Sequence, residues 1–100
     1  MSRKIKVGIA GAGFISAHHY DCMRRVYGVD FEVAGVVDVL WTKSEEFAGK
    51  RQIAVFDTFQ QMLQNVDVVD ICTPPFVHAD NIIEAARAVF HFEQLLPILE

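Results

Sequence analysis

The stretch Lys4-Ile5-Lys6-Val7-Gly8-Ile9-Ala10-Gly11-Ala12-Gly13-Phe14-Ile15-Ser16 decides the fold. Lys4 to Ala10 is a short β-rich run, and from Phe14 the spacing turns helical. The G-x-G pattern therefore sits where a strand hands over to a helix, the context in which such a loop carries meaning. Gly11 permits a tight turn, and Gly13 lets the backbone approach a pyrophosphate with no Cβ in the way. The first helical amides, near Phe14 and Ile15, then point at the anion with the helix dipole behind them. Ser16 stands in place of a third glycine. A side chain that small still lets helix and strand pack closely.

Outward from this loop the segments alternate. Phe14 to Tyr27 has helical spacing, with Ile15, Cys22 and Val26 close to one face and Gly28 as a natural stop. Phe31 to Asp38 is β-rich and ends in a carboxylate 22 residues past Ser16. An acid there can accept both ribose hydroxyls of an adenosine and repels a 2′-phosphate, which favours NAD over NADP. Thr42 to Lys50 reads as a polar helix with Glu45 and Glu46 on a solvated face. A short strand follows around Ile53 to Phe56, and Thr58 can cap a short helix through Leu63.

Val66 to Cys72 is nearly continuous in apolar character, like strands buried on both faces of a parallel sheet. Thr73-Pro74-Pro75 ends it, because proline donates nothing to a ladder. From about Phe76 to Ala88, Ala79, Ile83 and Ala86 mark another amphipathic helix. The order β-α-β-α-β-α-β-α predicts an α/β fold, a doubly wound parallel sheet with helices on both faces.

At 100 residues the chain is one small domain or part of a larger one, too short for a nucleotide-binding half plus a full substrate domain. A net charge of −4 argues against a nucleic-acid surface. At 52% hydrophobic residues, intrinsic disorder is excluded. No apolar run approaches the roughly 18 residues of a membrane span. Arg3, Lys4 and Lys6 ahead of Val7 to Ile15 imitate a signal peptide, but the glycines make that stretch a poor helix. Cys22 and Cys72 lie in apolar segments and read as reduced, buried thiols of a cytoplasmic protein.

Other chemistries find less support. A methyltransferase loop usually has an acid just before its first glycine, where this chain has Val7-Gly8-Ile9-Ala10. His18 and Cys22 share a metal-compatible helical spacing, but two ligands do not make a site, and a packed or partly exposed helix face is expected. Asp67 and Asp70 are an odd distance apart on a strand, so they form no acid–base pair. Asp70 in a buried strand needs a hydrogen-bonding partner. Ser16 has no base at readable spacing, and neither Tyr20 nor Tyr27 has a lysine four residues on.

Lys4 to Ile15, Asp38 and Val69-Asp70-Ile71-Cys72-Thr73-Pro74-Pro75-Phe76-Val77-His78 together resemble the glucose–fructose oxidoreductase / inositol dehydrogenase / MocA family of NAD(P)-dependent oxidoreductases. The resemblance runs from about residue 4 to residue 92. It implies a Rossmann domain, whose sheet order is 3-2-1-4-5-6 when complete, and hydride transfer between a nicotinamide and a sugar, polyol or related alcohol. By that resemblance Thr73 and Pro74 line the nicotinamide-side ribose and diphosphate, with His78 at the start of the following helix. Two rival functions share these residues: a non-catalytic nucleotide-binding fragment, and an NAD-dependent glycosidase of the same superfamily.

After His91-Phe92 the resemblance stops. The family's Glu-Lys-Pro motif, whose lysine serves substrate binding and proton transfer, has no counterpart in this sequence, so no catalytic residue is assigned. Residues 1–92 are expected to be a partial dinucleotide-binding domain, 93–100 a tail foreign to the family, and the substrate domain absent. A shifted reading frame or an early stop would produce that pattern. The sheet is then incomplete after strand 4 or in a stub of strand 5, and Val66 to Cys72 risks lying at a bare edge. Phe90, Phe92, Leu95, Leu96, Ile98 and Leu99 would cover that edge or promote self-association.

Overall fold

Ile9 and Ala10 are neighbours, as are Val36 and Val37, and all four are buried. Successive strand residues point to opposite faces, so both strands must be covered on both sides. The computed structural model describes residues 4–89 and has this arrangement. Its elements run β1 (Ile5–Ala10), α1 (Phe14–Met23), β2 (Phe31–Val37), α2 (Trp41–Arg51), β3 (Ala54–Val55), α3 (Phe59–Leu63), β4 (Val68–Ile71) and α4 (Pro75–Val89). The four strands are parallel in the order β3-β2-β1-β4, as expected. The expectations for Phe90 onward fall outside the described residues.

Two cores flank the sheet. Ile9 and Val36 pack with Phe47 and Ala48 of α2 and with Ala17, Tyr20 and Met23 of α1. Ala10 and Val37 face the other way, onto the fully buried Met62 of α3, with Phe56, Phe59, Val66 and Val69 around it. Thr58 caps α3 as its sequence suggests, its hydroxyl accepting the Gln61 N–H at 3.0 Å. Val7 pairs with Val33 but Gly8 with Gly35, so β2 carries an irregularity at Ala34.

Several expectations need correction. Helix α1 stops at Met23 rather than Tyr27, and its inward residues are Ser16, Ala17, Tyr20 and Met23. Ile15 and Cys22 are exposed instead, so Cys22 is no buried thiol. In α4, Ala79 and Ile83 are exposed, whereas Ala86 is half-buried as expected, together with Val77, His78, Asn81, Glu84 and Ala85. Strand β4 is shorter than Val66 to Cys72 and is not buried on both faces. Among the described residues it pairs only with β1, which leaves Val68 49% exposed.

Candidate functional site

The loop between β1 and α1 is held from three sides. Gly11 has φ +95°, and a Cβ there would lie 2.8 Å from the carbonyl oxygen of Cys72. Glycine is therefore required both by the left-handed backbone and by the close passage of the chain leaving β4. Ser16 is fully buried; its hydroxyl donates to the Gly11 carbonyl and accepts the Gly13 N–H at 3.4 Å. Asp38 closes the third side. Its Oδ2 accepts the Ala12 N–H at 2.8 Å and its Oδ1 the Leu40 N–H at 2.8 Å. That carboxylate thus ties the loop after β1 to the turn after β2.

Gly13 differs from Gly11. Its φ is −119°, and a Cβ added there would meet nothing within 4 Å. Neither backbone conformation nor packing among the described residues calls for glycine. The Ala17 N–H bonds to the Gly13 carbonyl at 3.2 Å, so the amides of Phe14 and Ile15 lie ahead of the first helical bond. Their side chains are exposed, and the open mouth of the loop faces solvent.

The chain after β4 forms the opposite wall. The Thr73 hydroxyl donates to the Asn81 side-chain oxygen at 2.6 Å. His78, in the first turn of α4, reaches back with Nε2 3.1 Å from the Ile71 carbonyl, which pins α4 to the end of β4. Pro74 is exposed between them, and its carbonyl accepts the Val77 N–H at 3.0 Å.

A cleft of about 320 Å³ opens at the carboxyl ends of β1 and β2, with Asp38, Val39, Thr58, Thr73, Asp80 and Asn81 among its walls. A second hollow of about 440 Å³ borders Gly13 and Phe14 and is edged by Lys43, Lys50 and Arg51. Asp38 and Thr73 therefore meet in one cleft, and Gly13 and Phe14 border the other. His78 lines neither.

A separate cluster was not legible as such in the sequence. His19 of α1 places Nδ1 2.8 Å from Asp70 Oδ2, and Cys72 Sγ lies 3.4 Å from the same nitrogen. This supplies the partner that Asp70 requires. Burial, and then the Asp70 charge, push the Cys72 thiol up to about 11, against a smaller opposing pull from the Ser16 hydroxyl. The available signal was positional. Ser16 and His19 share a helix face, while Cys72, one residue past β4, continues the extended run two residues on from Asp70.

Comparison with known proteins agrees with this fold. Residues 5–93 match the Gfo/Idh/MocA oxidoreductase family, NAD-binding Rossmann fold. The uncharacterized oxidoreductase YrbE of Bacillus subtilis (strain 168) is 30% identical over 94 residues, covering 91% of this chain and 27% of its own length. Among solved structures, an oxidoreductase from Thermotoga maritima superposes with a TM-score of 0.77 at 31% identity, covering 87% of this chain and 28% of its own. The WlbA dehydrogenase from Bordetella pertussis, in complex with NADH and UDP-GlcNAcA, gives a TM-score of 0.77 at 27% identity, covering 86% and 26%. The chain thus spans little more than a quarter of each relative. With four parallel strands in the expected order and a family match over nearly all of its length, this chain belongs to the Gfo/Idh/MocA oxidoreductases, as their NAD-binding Rossmann domain.

Proposed function

We propose that this domain holds NAD(H) across the carboxyl ends of its strands and forms the cofactor-binding part of an oxidoreductase acting on a sugar, polyol or related alcohol. The observation that carries the reading is Gly13. Its missing side chain leaves open space that no described residue fills, at the entrance to a helix whose leading amides precede the first helical hydrogen bond. A diphosphate fits that space and those donors. When bound, the dinucleotide supplies the hydride acceptor or donor of the reaction.

Gly11 shapes the loop, Gly13 admits the diphosphate, and the amides of Phe14 and Ile15 bind it. Asp38 receives the adenosine ribose. Both of its oxygens already accept a backbone amide, but an ionised carboxylate has about four acceptor sites, so capacity remains. Its charge disfavours a 2′-phosphate, hence NAD over NADP. Thr73 and Pro74 border the cofactor on the other side, and His78 keeps their turn in place. The sugar-like substrate class draws support from the nucleotide sugar in the WlbA complex. Free thiols at Cys22 and Cys72 fit a reducing, cytoplasmic setting.

Trp41 opens α2 three residues past Asp38 and is 47% exposed, a convenient reporter. Titration with NADH is expected to change its fluorescence saturably, with calorimetry as the independent check. Absence of saturable binding in both overturns the reading. Asp38→Ala separates two roles. Loss of a ribose acceptor lowers NADH affinity by about tenfold or more and spares NADPH, because a hydrogen bond to a charged group contributes about 1.5–3 kcal/mol. Equal weakening of both cofactors would show that Asp38 acts through the loop alone.

A further inference from the structure

We propose that His19, Asp70 and Cys72 form a three-ligand site for a borderline divalent cation of the zinc class, separate from the dinucleotide cleft. Nδ1 of His19, a carboxylate oxygen of Asp70 and Sγ of Cys72 all lie within 4.8 Å of one another. Imidazole, carboxylate and thiolate together suit zinc and its spectroscopic substitutes, whereas calcium and magnesium call for oxygen alone. Around a tetrahedral zinc, with bonds of about 2.0–2.3 Å, ligand atoms stand roughly 3.3–3.8 Å apart. The observed 2.8 Å and 3.4 Å separations need only a small opening to admit the ion.

His19 and Asp70 sit on α1 and β4, and Cys72 is the first residue past the end of β4. Asp70 is paired in the ladder opposite Ile9, and the Cys72 N–H bonds to the Ala10 carbonyl at 2.8 Å. Two residues apart on one strand direction, their side chains share a face, and α1 lays His19 across it. One ring nitrogen faces both other groups, and in the metal-free cluster an Nδ1 proton and the thiol proton both have the Asp70 carboxylate as acceptor. A cation would take the place of those protons and bind all three groups. The His19 and Asp70 side chains are 43% and 25% exposed, which gives the ion a path and leaves a fourth position for water. On binding, the Cys72 thiol proton leaves to solvent, the imidazole carries its one proton on Nε2, and sulfur and Nδ1 each donate a lone pair to the metal.

Cobalt(II) is the first probe, titrated into the metal-free full chain. The expected result is one-to-one saturation with a sulfur-to-cobalt charge-transfer band that zinc(II) abolishes by displacement and magnesium(II) does not. Cys72→Ser should remove the band, and His19→Ala should weaken cobalt binding at least about tenfold. Cys22→Ser is the control, because Cys22 lies 3.7 Å from His18 on the exposed side of α1 and could bind metal there. No band, a band surviving Cys72→Ser, or a band lost in Cys22→Ser overturns the proposal. A second measurement needs no variant: zinc(II) should slow alkylation of Cys72 and leave Cys22 unchanged. Equal rates at Cys72 with and without zinc overturn it as well.

Discussion

Gly11 and Gly13 belong to one loop for different reasons, and substitution separates them. Gly11→Ala forces a Cβ onto a left-handed backbone and against the Cys72 carbonyl, so it should destabilise the fold by roughly 1–3 kcal/mol. Gly13→Ala meets no neighbour and should shift stability by less than about 1 kcal/mol, yet it should lower NADH affinity. Denaturant titration beside cofactor titration checks both; a Gly13 variant that binds normally sinks the diphosphate assignment. The two thiols should also part company. In metal-free protein the Cys72 thiol, pushed up to about 11 from the 9.0 of a free thiol, stays protonated at pH 8. Exposed Cys22 is then alkylated first. Because the folded value is the higher one, the preference for protonated Cys72 supports folding fully below about 9 and is lost as pH rises towards 11. A Cys72→Ala variant should lose that decline in stability at alkaline pH. Glycine spacing and a strand-end acid were legible without coordinates because they are local. The bond from the Ala12 amide to Asp38 spans 26 residues and leaves no periodic trace.

At the scale of elements, existence and order were readable and orientation was less so. Strand, turn and helix alternate with clear punctuation, and Thr58 announces α3 by its capping chemistry. Thr58→Ala should cost about 1 kcal/mol, seen as a lower midpoint in thermal or denaturant unfolding. An unchanged midpoint would mean that tertiary packing, not the cap, holds this short helix. Helix α1 misled hydropathy because its inward face mixes Ser16, Ala17, Tyr20 and Met23. Ser16 is inside to bond the Gly11 carbonyl, a reason that no apolar scale records. Ile15 and Cys22 look like core and are not. The apolar run at Val66 to Cys72 was correctly a strand, but its burial depends on neighbours that pair from distant sequence.

For the whole molecule, the strand order puts β4 at an edge of the described sheet. Val68 on β4 and Phe76, Ile82 and Ile83 on α4 are exposed, apolar surface of the kind that pairs or aggregates. The 100-residue chain should therefore associate as concentration rises, and Val68→Lys should reduce that association. Sedimentation velocity is the check; a single monomer at every concentration, with a cooperative melt, argues against it. Asp38 has a consequence of another kind. The amide hydrogens of Ala12 and Leu40 rest on the two oxygens of one carboxylate, so they should exchange with solvent in concert. An Asp38→Asn side chain keeps a single acceptor oxygen and should release one of the two. If Asp38 receives the ribose as proposed, the carboxylate is already oriented by folding, and the ordering cost falls on the fold rather than on the encounter. Rapid mixing should then record NADH capture as one phase, its rate linear in cofactor concentration.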